Sequence, residues 1–85
     1  MQKSNKSRLL EVMSIVFNEK INNLNEKISM NNFDKWDSLK HLNLLVALEE
    51  EFKIRFDISQ ADKMADFKSI IKYINKKEKN YVEIS

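Results

Sequence analysis

Apolar residues recur at helical spacing in three stretches of this chain and lose that rhythm between them. Leu9, Val12, Met13, Val16 and Phe17 mark one face of a first helix over residues 4 to about 21. Leu10 and Ile21 lie beside that face, and Lys6, Arg8, Glu11, Glu19 and Lys20 lie elsewhere. Asp37 to Phe52 reads as a second helix, rich in Leu, Ala, Glu and Lys. Phe67, Ile70, Ile71 and Ile74 form one inward stripe on a last helix, with Asp66 placed to cap its start. Between the first two helices, Leu24, Ile28, Met30 and Phe33 are spaced as anchors for a long loop. Asn22, Asn23, Asn25, Asn31 and Asn32 are expected to supply its turns and left-handed backbone in a chain without glycine. Ile54, Phe56 and Ile58 alternate in an extended link too short and isolated for a sheet strand. Ser59-Gln60-Ala61-Asp62 has the form of a capping box, opening a short third helix that ends near Met64. The expected fold is all-α: a small antiparallel bundle of three main helices plus one short helix. One domain is expected over residues 1–85, with its core within about 5–78 and a frayed tail at 79–85.

The second helix has more apolar residues than one core contact needs. Leu44, Leu45, Leu48 and Phe52 form one broad face, and Leu39, Leu42 and Val46 form a second strip beside it. A core absorbs the first face and leaves the second near the surface, bordered by Asn43, Glu49 and Glu50. An exposed apolar strip with a carboxylate rim suits the docking of another protein. Glu51 points elsewhere, so Glu49→Lys or Glu50→Lys is expected to weaken binding to basic partners. Asp37 or Ser38 can cap the helix, and Ser38 stands at the head of the strip.

Composition narrows the function. The chain has no cysteine and a single histidine, which leaves no disulfide framework, no Cys metal site and no multi-His metal site. No stretch approaches the roughly 18 apolar residues of a membrane span, nor is there an N-terminal apolar run of signal length, so a cytoplasmic location is expected. Charge is unevenly spread. Residues 1–33 hold five basic and three acidic groups, residues 34–62 four and seven, and residues 63–85 six and three. The acidic block coincides with the second helix and implies a basic partner there, not nucleic acid. The Lys76-Lys77-Glu78-Lys79 run reads as a solvated helix end with cations at the negative pole of the dipole.

Ser38 is the candidate site residue. A serine at a helix start lies among free backbone N–H groups that favour a bound anion. By residue type alone, it is also the commonest kind of N-cap. His41 follows one turn later, but Asp37, Ser38 and His41 do not make a hydrolase triad. Near-consecutive positions on one helix cannot align base, nucleophile and orienting acid, and no Gly-rich turn supplies an oxyanion hole. The spacing does place His41 near Ser38, where it would neighbour an anion attached there. Trp36 is open to two readings, an anchor of the loop against the bundle or part of a surface read by a partner.

Asp37-Ser38-Leu39, then Leu44 and Val46-Ala47-Leu48-Glu49-Glu50-Glu51-Phe52, and later Ile71-Lys72-Tyr73-Ile74, together resemble the acyl carrier protein family. The resemblance covers about residues 5–78. It implies a non-catalytic protein carrying acyl intermediates as thioesters on a 4'-phosphopantetheine arm attached to Ser38, with Asp37 supporting the attachment. Coenzyme A would donate the arm and a phosphopantetheinyl transferase would attach it. Acyl-transferring and chain-building enzymes of fatty acid synthesis, or of a related pathway, would dock on Leu39, Leu42, Val46, Glu49 and Glu50. The carrier is expected to be a monomer with no metal. Large bound groups could slip between the helices, as the family does with acyl chains.

The sequence departs from the family pattern at three points. Phe33-Asp34-Lys35-Trp36 stands where the family commonly has a Gly before Asp-Ser-Leu. Lys40, His41 and Asn43 stand where acidic residues are common, and the chain is slightly basic overall. These differences leave open a dedicated carrier for a surface-glycan, polyketide or peptide-type product. A different class, an unmodified helical adaptor using the same strip, also remains.

Overall fold

The computed structural model describes residues 4–84, without the side chains of Ile58 and of 79–84. Three α-helices carry the fold: α1 (Asn5–Phe17), α2 (Ser38–Phe52) and α3 (Phe67–Ile84), with 3-10 helices at Ile21–Asn23 and Ile58–Lys63. The expected short third helix is thus the second 3-10 segment, and the described residues hold three α-helices rather than four. Its cap is Asp57, two residues before the expected Ser59. The Asp57 carboxylate accepts from the Ser59 N–H at 3.0 Å and the Ser59 hydroxyl at 2.8 Å. Ser59 thus lies inside the segment and not at its cap, so the expected capping box does not form.

α1 stops at Phe17, short of the expected residue 21, because Asn18 takes a left-handed conformation at φ 53°. The Asn18 and Glu19 N–H groups then fold back onto the Ile15 and Ser14 carbonyls, a Schellman-like end that satisfies the last turn. Lys53 does the same for α2 at φ 55°. The left-handed backbone expected of the loop asparagines therefore sits at these two helix ends. Instead, the loop asparagines use their side chains. Asn25 accepts from Lys27 N, and Asn32 accepts from Ser29 N while donating to the Lys27 carbonyl.

The core forms as the periodicity predicts. Leu9, Met13, Phe17, Leu44, Leu48, Phe67, Ile70 and Ile74 are buried, as are the loop anchors Leu24 and Ile28, while Met30 and Phe33 are half-buried against them. Ile21 is exposed, since the chain has already turned away there. Asp66 caps α3 by accepting from Ser69 N at 2.7 Å. An isolated antiparallel bridge, unforeseen in the sequence, pairs Ser29 with Asp66. Through it, Met30 N bonds Ala65 O at 2.9 Å and Phe67 N bonds Ile28 O at 3.0 Å. This bridge ties the long loop to the start of α3 and so fixes where the loop delivers α2. The fraying expected over 79–85 concerns side chains outside the described set and Ser85, which lies outside it altogether; the α3 backbone continues to Ile84. None of the described helices is long and apolar enough to cross a membrane.

Candidate functional site at the head of helix α2

Asp37, not Ser38, caps α2. Its backbone is extended and its Oδ1 accepts from Lys40 N at 2.9 Å. Ser38 is consequently the first helical residue, exposed, and its hydroxyl has no protein hydrogen-bond partner among the described residues. The commonest structural duty of a serine here is already discharged by its neighbour. The hydroxyl is left at the positive end of a helix dipole, a setting that favours a phosphodiester by about 0.3–1 kcal/mol. In this respect the residues fit a phosphopantetheine arm.

Beneath this head lies a buried aromatic cluster. Trp36 is only 2% exposed and packs 5.4 Å from Phe17, which in turn lies 5.4 Å from Phe33. It anchors the loop, and its ring is not part of the surface. His41 is 7% exposed and turns inward from α2. Trp36 Nε1 donates to His41 Nδ1 at 3.1 Å, and an indole nitrogen can only donate. Nδ1 must therefore be the acceptor, and Nε2 carries the proton that reaches the Ala61 carbonyl at 3.0 Å. His41 and Ser38 line one recess, as their spacing suggested, but both ring nitrogens are engaged within the fold. The sequence carried only a faint trace of this: the only Trp and the only His stand five residues apart.

The exposed apolar strip is where the periodicity predicted it. Leu39 is 67% exposed, and Leu42 and Val46 are each 59% exposed. Of the two rim carboxylates, Glu50 is exposed. Glu49 is half-buried, and its Oε2 accepts from Phe56 N at 2.8 Å, holding the link that follows α2. Glu51 does point elsewhere, toward Arg8 of α1 at 3.1 Å. Ile15 of α1, which the stripe analysis passed over, is the most exposed large apolar side chain among the described residues. It lines a groove with Val12, Val16, Ala47, Glu50 and Glu51. Its signal was its position off the first helix's apolar face.

The basic residues that depart from the family pattern have local partners. Lys40 Nζ donates to the Val16 carbonyl and Lys35 Nζ to the Asn18 carbonyl, each at 3.3 Å, at the negative end of α1. Lys35 also pairs with Glu19 at 2.8 Å. The Glu19 carboxyl is held below its ordinary value chiefly by the Asn23 side-chain amide, then by Lys35. Next to Ser38 an open recess of about 250 Å³ is lined by Met30, His41, Leu42, Ala61 and Ala65, with Asp62 also on its wall.

No family model and no curated protein matches this chain by sequence. Among solved structures it is similar to the holo acyl carrier protein from Geobacter metallireducens, determined in solution by NMR. The two are 31% identical with a TM-score of 0.81, over 92% of this chain and 90% of that one. The chain belongs to the acyl carrier protein family. Similarity over nearly the full length of both chains accounts for the three-helix bundle and supports an acyl carrier role. In this family member, the buried Trp36–His41 pair underlies the head of α2, and lysines occupy the carbonyl end of α1.

Proposed function

We propose that this protein carries acyl groups on a 4'-phosphopantetheine arm attached through the Ser38 hydroxyl. The observation that carries the reading is the division of labour at the head of α2: Asp37 supplies the cap, leaving the Ser38 oxygen exposed and unbonded. The named neighbour being a holo carrier supports the same cofactor here. When attached, the arm supplies a thiol for thioester formation, which a chain without cysteine has no side chain to compete with. The chain's own part is to present and orient. Asp37 fixes the helix start, the dipole of α2 favours the phosphodiester, and Leu39, Leu42 and Val46 with Glu50 form the surface that partner enzymes grip. Glu49 contributes to that rim with one carboxylate oxygen only, the other being engaged by Phe56.

The partners are a phosphopantetheinyl transferase using coenzyme A, followed by enzymes that load, extend or transfer the acyl group. Lys40, His41 and Asn43 leave the first turns of α2 without a carboxylate. This favours a dedicated pathway over service to enzymes that expect an acidic helix. Incubation with coenzyme A and a broad-specificity transferase, followed by intact mass measurement, tests the reading. Wild type is expected to gain one arm and Ser38→Ala none. A wild type that gains nothing leaves an unmodified adaptor as the better account.

A further inference from the structure

We propose that a hydrogen-bonded strap through His41 keeps long acyl chains carried on Ser38 out of the bundle interior and leaves only short groups held in the recess beside it. The inference rests on Ser38 bearing the arm. The recess beside Ser38 is open to solvent and has a volume of about 250 Å³. Its apolar lining comes from Met30, Leu42, Ala61 and Ala65, and His41 forms part of its wall.

His41 spans from α2 to the second 3-10 helix. On one side its Nδ1 accepts from Trp36, and on the other its Nε2 donates to the Ala61 carbonyl. A long chain that enters the interior from this recess, past His41, parts these two elements. That parting breaks the bond to Ala61 and disturbs the one from Trp36. The freed carbonyl and ring nitrogens would then face methylene groups, which offer no hydrogen bond in exchange. Behind the strap, Leu44, Leu48, Phe67, Ile70 and Ile74 are already fully buried, so a longer chain buries itself only by displacing them. A short group in the recess leaves both bonds intact. His41 and Trp36 are thus positioning residues that set cargo length.

The experiment loads the protein with arms carrying acetyl, hexanoyl or dodecanoyl groups through a hydrolysis-resistant amide, checks each by mass, and records NOEs from the acyl protons. In wild type, hexanoyl should contact Met30, Leu42, Ala61 or Ala65. Dodecanoyl should give no NOE to Leu44, Leu48, Ile70 or Ile74, and the His41 ring nitrogens should keep the Nε2–H signature throughout. In His41→Val, and in Trp36→Phe, which removes the indole donor but keeps an aromatic ring, dodecanoyl should gain contacts to those core residues. Dodecanoyl NOEs to Leu48 or Ile70 in wild type would overturn the proposal, and that measurement needs neither variant to fold. Core contacts absent from both folded variants would overturn the role given to His41. Failure of the arm to attach appears in the mass first and defeats the carrier reading itself, whereas core NOEs in a loaded protein defeat only the strap.

Discussion

The two ends of α2 are built to different rules. At its C-terminal end nearly every group is tied down. Lys53 turns left-handed and its N–H closes on the Glu49 carbonyl, while the Glu49 side chain holds Phe56 N. Arg8 lies 4.2 Å over the Phe52 ring and bonds both the carbonyl and the carboxylate of Glu51. At the N-terminal end, one aspartate makes the cap, a serine hydroxyl stands unbonded, and Leu39 and Leu42 are bare. What order there is lies underneath, in the Trp36–His41–Ala61 chain of hydrogen bonds. The anchored end carries stability. The open end holds its surface in place from below, which leaves its outer atoms exposed.

Substitutions at the two ends should separate these roles. The largest effect is expected from Phe52→Ala, which removes a buried ring from the anchored end and should cost about 3–5 kcal/mol in urea unfolding. Trp36→Phe leaves His41 Nδ1 without its donor and should cost about 1–3 kcal/mol. A loss as large as that of Phe52→Ala would mean that the open end is anchored equally firmly. Asp37→Ala deletes the cap and should cost about 1 kcal/mol by the same measurement. Ser38→Ala should change stability by less than about 0.5 kcal/mol, because no group among the described residues bonds the hydroxyl.

Acid gives the smallest effect. Glu19 is held below its ordinary value by Asn23 and Lys35, and Asp57 by the Ser59 hydroxyl and N–H. A depressed folded-state value contributes stability above the unfolded value that is lost as pH falls through the folded one, so this loss lies below about pH 4. Glu19→Gln should flatten the acid limb of the unfolding midpoint against pH, and an unchanged limb would remove Glu19 from the account.

How far the sequence revealed this arrangement depended on the kind of interaction. The buried faces of α2 and α3 and the bare Leu39–Leu42–Val46 strip were readable because periodicity reports which side of a helix meets a core. Asp37 and Ser38 were both visible as caps, but the choice between them is a matter of backbone geometry. Asp37 is extended while Ser38 is already helical, and residue type does not encode that. The end of α1 was missed because Ile21 continues the apolar rhythm past the left-handed Asn18. The inward turn of His41 was missed because spacing gives an angle around the helix and not the partner that draws a side chain in. Glu49 likewise looked like a solvated rim residue until the chain beyond α2 brought Phe56 N back to it.

The central claim is that the unbonded hydroxyl at the open end of α2 is a tether site. Fragmentation mass spectrometry of the protein isolated from its own host tests it most directly. The predicted result is a phosphopantetheine arm on the peptide containing Ser38 and on no other. Protein that is uniformly unmodified, or an arm located on a different residue, would contradict it.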